Sequence, residues 1–121
     1  MIRFADQKSL REIADQARDL GLRGRDKKLL PQEMSGSTFT VSNLGMFGID
    51  EFSAVINPGE GAILAVGAIA DTVVPRGGQL VIGKRMKMTL ACDHRVMDGA
   101  TGAKFLATLR GLLEQPLAML A

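Results

Sequence analysis

The stretch "MKMTLACDHRVMDGATGAKFLATLRGLL", residues 86–113, changes its period halfway along. In its first part Met86, Met88, Leu90 and Cys92 alternate with Lys87, Thr89 and Ala91, the two-residue period of a strand with one apolar face. Past Asp98 the period becomes 3.6. Phe105, Leu106, Leu109, Leu112 and Leu113 share one face of a helix that stops before Pro116. A strand therefore runs into a helix through "DHRVMDG", and that junction holds the only histidine of the chain, His94.

Upstream, "LVIGKRMKMTLACDH" reads as one long strand and "AILAVGAIADTVV", Ala62 to Val74, as a buried one. Between them "PRGGQ" is a turn, so the two form an antiparallel hairpin with a short glycine loop. "TFTVSNLG", Thr38 to Gly45, is β-branched and aromatic and reads as a further strand. Turns are expected at Gly48 and at Asn57-Pro58-Gly59. Near the start, Leu10, Ile13, Ala14, Ala17 and Leu20 line one helical face. Ser9 and Glu12 make an S-x-x-E capping box there, and Gly21 is placed to end the helix. The polar stretch after it, "GLRGRDKKLLPQEMSGS", is a loop or short helix. Helix, strands, hairpin, helix is an α+β order in which helices cover one face of a sheet.

The 121 residues suffice for one domain, with 46% apolar and 23% charged residues in the globular range. With no Trp and no Tyr, the core must be aliphatic and methionine-rich. A net charge of +2, without a basic cluster among aromatics, argues against nucleic acid as partner. One cysteine forms no internal disulfide, and one His with one Cys makes no zinc site. Neither a signal-peptide core nor an apolar run of membrane-spanning length is evident, so a soluble cytoplasmic protein is expected.

Four features compete for a chemical role. An imidazole exchanges a proton near neutral pH, so His94 suits a general base for a thiol or hydroxyl; a structural histidine is the alternative. Asp98, four residues on, either orients that ring or pins the turn. Ser42 caps a turn or donates its hydroxyl to a developing oxyanion. Cys92 shares a strand face with His94, but it continues the Met86-Met88-Leu90 face and reads as core. "RGRDKK", residues 23–28, reads as a solvated loop, and the glycines match no phosphate loop. The apolar end "PLAML" docks either onto its own chain or into a neighbour.

"DHRVMDG" resembles the D-H-R-x-x-D-G motif of the dihydrolipoamide acyltransferases, the core components of the 2-oxo acid dehydrogenase complexes. The resemblance extends over "GSTFTVSNLGMFGIDEFSAVINPGEGAILAVGAI" and "KRMKMTLACDHRVMDGATGAKFLATLRGLLEQPLAML", and the "MFGIDEFSAVINP" version is most similar to the acetyl-transferring, pyruvate-complex branch. It implies a chloramphenicol-acetyltransferase-like two-layer sandwich, a mixed sheet with helices on one face. Residues 1–121 would be the C-terminal half of the catalytic domain, without the lipoyl and peripheral-subunit-binding domains. Coenzyme A and a lipoyl group would be the substrates, with no metal. His94 would deprotonate the thiol, Ser42 would donate to the oxyanion and Asp98 would support the turn. Asp93 and Arg95 would form a structural ion pair.

The family's site lies between subunits of a trimer, and a C-terminal tail joins trimers into a cube or dodecahedron. Partners would thus be further copies of the chain, together with the complex's dehydrogenase subunits through the missing domains. The location would be bacterial cytoplasm or, in a eukaryote, the mitochondrial matrix. The alternatives are an assembly fragment without activity of its own, and an acyltransferase of an acetoin, branched-chain or 2-oxoglutarate complex.

Overall fold

Capping chemistry, glycine close approaches and two chain reversals decide where the elements begin and end. The computed structural model describes residues 1–120, which divide into two compact units, one of residues 1–37 and one that begins at Thr38.

The first unit is built on helix α1, Leu10–Arg25. Ser9 accepts the Glu12 N–H while the Glu12 carboxylate accepts the Ser9 N–H at 2.8 Å, the reciprocal capping box expected from S-x-x-E. The helix does not stop at Gly21. It runs four residues further, and Lys27, with φ of 56°, takes the left-handed conformation just beyond its end. Arg23 explains part of the extension. Its guanidinium donates to Asp19 one turn back and, at 2.6 and 2.8 Å, to Glu33 of the following short 3₁₀ turn. The same pair holds the Glu33 carboxyl down to about 2.

In the second unit, strands β1 (Phe39–Asn43), β2 (Ala62–Val66) and β5 (Met88–Cys92) form one sheet in the order β1-β2-β5. β1 and β2 are parallel, β2 and β5 antiparallel, so the sheet is mixed. Strands β3 (Ala70–Arg76) and β4 (Gln79–Arg85) form a separate antiparallel hairpin closed by Gly77 and Gly78, both at positive φ.

Two expected strands are thus each broken in two. The run from Ala62 to Val74 parts at residues 67–69, and the run from Leu80 to His94 parts at residues 86–87. The breaks lie side by side: the Gly67 N–H donates to the Lys87 carbonyl, and the Ala68 N–H to Ile49. A Cβ on Gly67 would collide with the Asp50 carbonyl, so the chain is pinched there as only glycine permits.

Helix α2, Gly99–Glu114, covers one sheet face. The Phe105 ring packs on Phe39 with centroids 5.7 Å apart. Gly102 lies so close to Cys92 and Leu90 that a Cβ there would come within 3.2 Å of the Cys92 sulfur. Cys92 is therefore a packing residue under α2, as its place on the apolar face suggested. Phe39, Val41 and Asn43 face the helix side of β1. Thr40 and Ser42 face the other side. The chain ends in a 3₁₀ segment, Pro116–Leu120, whose Leu117 and Leu120 are 78% and 73% exposed.

Candidate active site

The sheet is five residue rows long, and the candidate residues stand near its two ends. In the first row Phe39 pairs with Ala62, and Ala62 with Cys92. One step beyond, the Gly61 N–H donates to Thr38 and the Asp93 N–H to Gly61, both at about 3 Å, so the ladder continues past the strands. His94 follows at once, exposed on a turn closed by the N–H groups of Val96 and Met97 donating to the Asp93 carbonyl. Strand β5 has ended by then, so alternation no longer governs which way Asp93 and His94 point.

Three devices fix this turn. The Asp93 carboxylate accepts from the Arg95 backbone N–H and, bidentately, from the Arg95 guanidinium at 2.7 and 3.0 Å. Gly61 leaves room for Val96, which a Cβ would meet at 3.1 Å. Asp98 is the N-cap of α2, accepting the Thr101 N–H at 2.8 Å. That bond holds the Asp98 carboxyl below its ordinary value. Among the described residues no hydrogen bond joins Asp98 to the imidazole of His94, so within the chain Asp98 pins the turn.

The Arg95 guanidinium and backbone N–H, aided by the charges of Arg95 and His94, lower the Asp93 carboxyl to about 2 from 3.8. A depressed folded-state value adds stability above about pH 4 that is lost as pH falls through about 2. The difference in melting temperature between the wild type and Asp93→Asn should therefore shrink over that interval. A difference that stays constant between pH 5 and 2 would mean the Asp93–Arg95 pair does not stabilise the turn.

Ser42 lies one row from the far end of the sheet, opposite Ala65, half-buried and on the face away from α2. Among the described residues its hydroxyl has no hydrogen-bond partner. Three strand rows and two turn residues along the sheet, and two strand spacings across it, separate Ser42 from His94 by roughly 15–20 Å. A base and an oxyanion donor serving one tetrahedral carbon must both lie about 3 Å from the reacting atoms. One copy of the chain does not bring the two together.

Among the described residues no group of three or more His, Cys, Asp or Glu is arranged to hold a metal, and no helix is long and apolar enough to cross a membrane. Sequence reasoning missed the buried Glu60, 5% exposed, whose carboxylate accepts from the Thr40 hydroxyl. Its only signal was a charged residue between two turn glycines.

The family described as 2-oxoacid dehydrogenases acyltransferase (catalytic domain) matches residues 1–121, and the chain belongs to that family. Among curated relatives, the dihydrolipoyllysine-residue acetyltransferase component of the pyruvate dehydrogenase complex of Rhizobium meliloti is 47% identical, over 99% of this chain and 27% of the relative. The mitochondrial component of that name in Schizosaccharomyces pombe is 48% identical, over 97% of this chain and 25% of the relative.

Among solved structures, Azotobacter vinelandii dihydrolipoamide acetyltransferase superposes with a TM-score of 0.91 at 38% identity, over 99% of this chain and 49% of that one. That structure belongs to a study of a serine, a histidine and an asparagine in the enzyme's catalytic mechanism. The cubic core of the pyruvate dehydrogenase multienzyme complex gives 0.88 at 37% identity, over 96% of this chain and 48% of that one. The α+β architecture with its mixed sheet is the fold of these cores. The chain spans about half the length of the solved cores and about a quarter of the curated relatives.

Proposed function

We propose that the chain transfers an acetyl group between a dihydrolipoyl thioester and coenzyme A, in a site shared between copies. The observation that carries this reading is the trio Ser42, His94 and Asp98. The serine and histidine named for the Azotobacter vinelandii enzyme stand as far apart in its sequence as Ser42 and His94 do here. Its asparagine stands four residues after the histidine, the place of Asp98. Either side chain there offers an oxygen that can cap α2, which fits the capping bond of Asp98.

The His94 imidazole takes the proton of the incoming thiol. The thiolate, the competent nucleophile, attacks the thioester carbonyl. The Ser42 hydroxyl donates to the oxyanion of the tetrahedral intermediate. Collapse expels the second thiolate, which recovers the proton from the imidazolium. No acyl-enzyme forms, and no metal is called for.

The separation of His94 from Ser42 requires the second copy: His94 of one chain faces Ser42 of the next. The thinness of the core supports this. Only Ala62, Ile63, Leu64, Ala65 and Val74 are buried apolar residues among those described, while Met46 and Phe47, which follow the Ser42 end of β1, and Val55 are more than 70% exposed. Such surface needs covering. Segment Pro116–Leu120 docks into a neighbouring copy through Leu117 and Leu120. Removing residues 116–121 should lower the sedimentation coefficient; an unchanged coefficient would place the tail on its own chain.

The test of the activity is acetyl transfer from acetyl-CoA to dihydrolipoamide by the chain, followed as formation of S-acetyldihydrolipoamide with release of an equal amount of free coenzyme A. Succinyl-CoA and isobutyryl-CoA serve as competing donors. Acetyl transfer with the largest kcat/KM is expected. Preference for another acyl group would assign the chain to a different 2-oxo acid complex, and no transfer with any donor would leave it an assembly module.

A further inference from the structure

We propose that Thr40, Asn57 and Glu60 form a positioning node that sets the strand of Ser42 and the turn of His94 in register. The proposal rests on the roles given to Ser42 and His94 above.

Glu60 is a buried carboxylate in a unit with few buried residues. The single proton of the Thr40 hydroxyl is shared between its two oxygens, at 2.8 and 2.7 Å. The Asn57 amide donates to the Thr40 oxygen at 3.0 Å, and the Glu60 N–H donates to the Asn57 carbonyl at 3.0 Å. The 57–60 turn is thereby tied to β1 by side chain and backbone together. Burying a polar group is costly unless hydrogen bonds compensate, so a carboxyl group kept here constrains the chain closely.

Two connections make that constraint relevant to the chemistry. Thr40 stands two residues before Ser42 on the same sheet face. Gly61, next to Glu60, donates to Thr38 and accepts from Asp93, and Asp93 immediately precedes His94. The node thus touches β1 on one side and the histidine turn on the other. Loss of the Thr40 hydroxyl would remove its ties to Glu60 and Asn57 and let the 57–60 turn shift against β1, and Gly61 carries Asp93 with it. The three side chains act through Ser42 and His94 as positioning residues.

The test uses the isosteric change Thr40→Val with Thr40→Ser as the conservative control. His94 is the only histidine, so the protein gives one set of imidazole resonances. Thr40→Val should shift the His94 ring and Ser42 amide resonances and lower kcat roughly 10²-fold, as a misplacement near 1 Å does. KM for coenzyme A should stay close to wild type, and Thr40→Ser should restore every readout.

Unchanged His94 and Ser42 resonances in folded Thr40→Val would overturn the proposal. So would a raised KM with kcat intact, or a serine variant that restores nothing. Should Thr40→Val not fold, Asn57→Ala, at an exposed position, is read in the same way. A wild-type chain without transfer activity contradicts the function proposed above, and the resonances alone then decide the node.

Discussion

His94→Ala is expected to lower acetyl transfer by roughly 10²–10⁴-fold, the range for loss of a general base. The fall should appear in kcat and in kcat/KM alike, because the thiol still binds but no longer loses its proton to a positioned nitrogen. Raising the pH should restore part of the lost rate, since solvent then supplies the thiolate. Stability should change little, about 0.5 kcal/mol or less, because the ring is exposed and the turn is held by Asp93, Arg95, Gly61 and Asp98. A variant with near-normal turnover would leave His94 a structural residue.

Ser42→Ala is expected to lower kcat by about 10²–10³-fold with KM nearly unchanged. A hydroxyl aimed at an oxyanion gains its bond mainly in the transition state, so its loss does not weaken substrate binding. The half-buried serine of β1 has no hydrogen-bond partner in its own chain among the described residues, so alanine should fold as the wild type does. An effect on KM alone would make Ser42 a binding residue and count against the oxyanion role. Ser42→Thr keeps the hydroxyl and should retain more activity than alanine.

Local signals placed the elements whose limits depend on local chemistry. The capping box of Ser9 and Glu12 and the change of period at Asp98 each mark a real boundary, Leu10 and Gly99 being the first helical residues. The breaks at residues 67–69 and 86–87 were not legible, because an apolar run passes through the first and the two-residue alternation of Met86 and Met88 about Lys87 passes through the second. They arise from a backbone bond between Gly67 and Lys87 and from the Asp50 carbonyl against Gly67, contacts between segments distant in sequence. The extension of α1 past Gly21 likewise depends in part on Glu33, beyond any helical window. Glycine alone is a weak stop signal.

The residues of the candidate site were legible and their arrangement was not. "DHRVMDG" and "TVSNLG" pointed to His94, Asp98 and Ser42, yet spacing left each with a structural alternative. The register of three strands sets His94 and Ser42 near opposite ends of the sheet, and register is a tertiary property. The capping bond of Asp98 similarly narrows an either-or reading to support of the turn.

The central claim, a base from one copy and an oxyanion donor from the next, is tested most directly by mixing the two inactive variants. His94→Ala chains keep Ser42, and Ser42→Ala chains keep His94. Unfolded together and refolded as mixed oligomers, they should form some interfaces with both groups intact, and acetyl transfer should reappear well above either variant alone. A mixture that oligomerises as the wild type does, yet stays as inactive as its parents, would contradict the account.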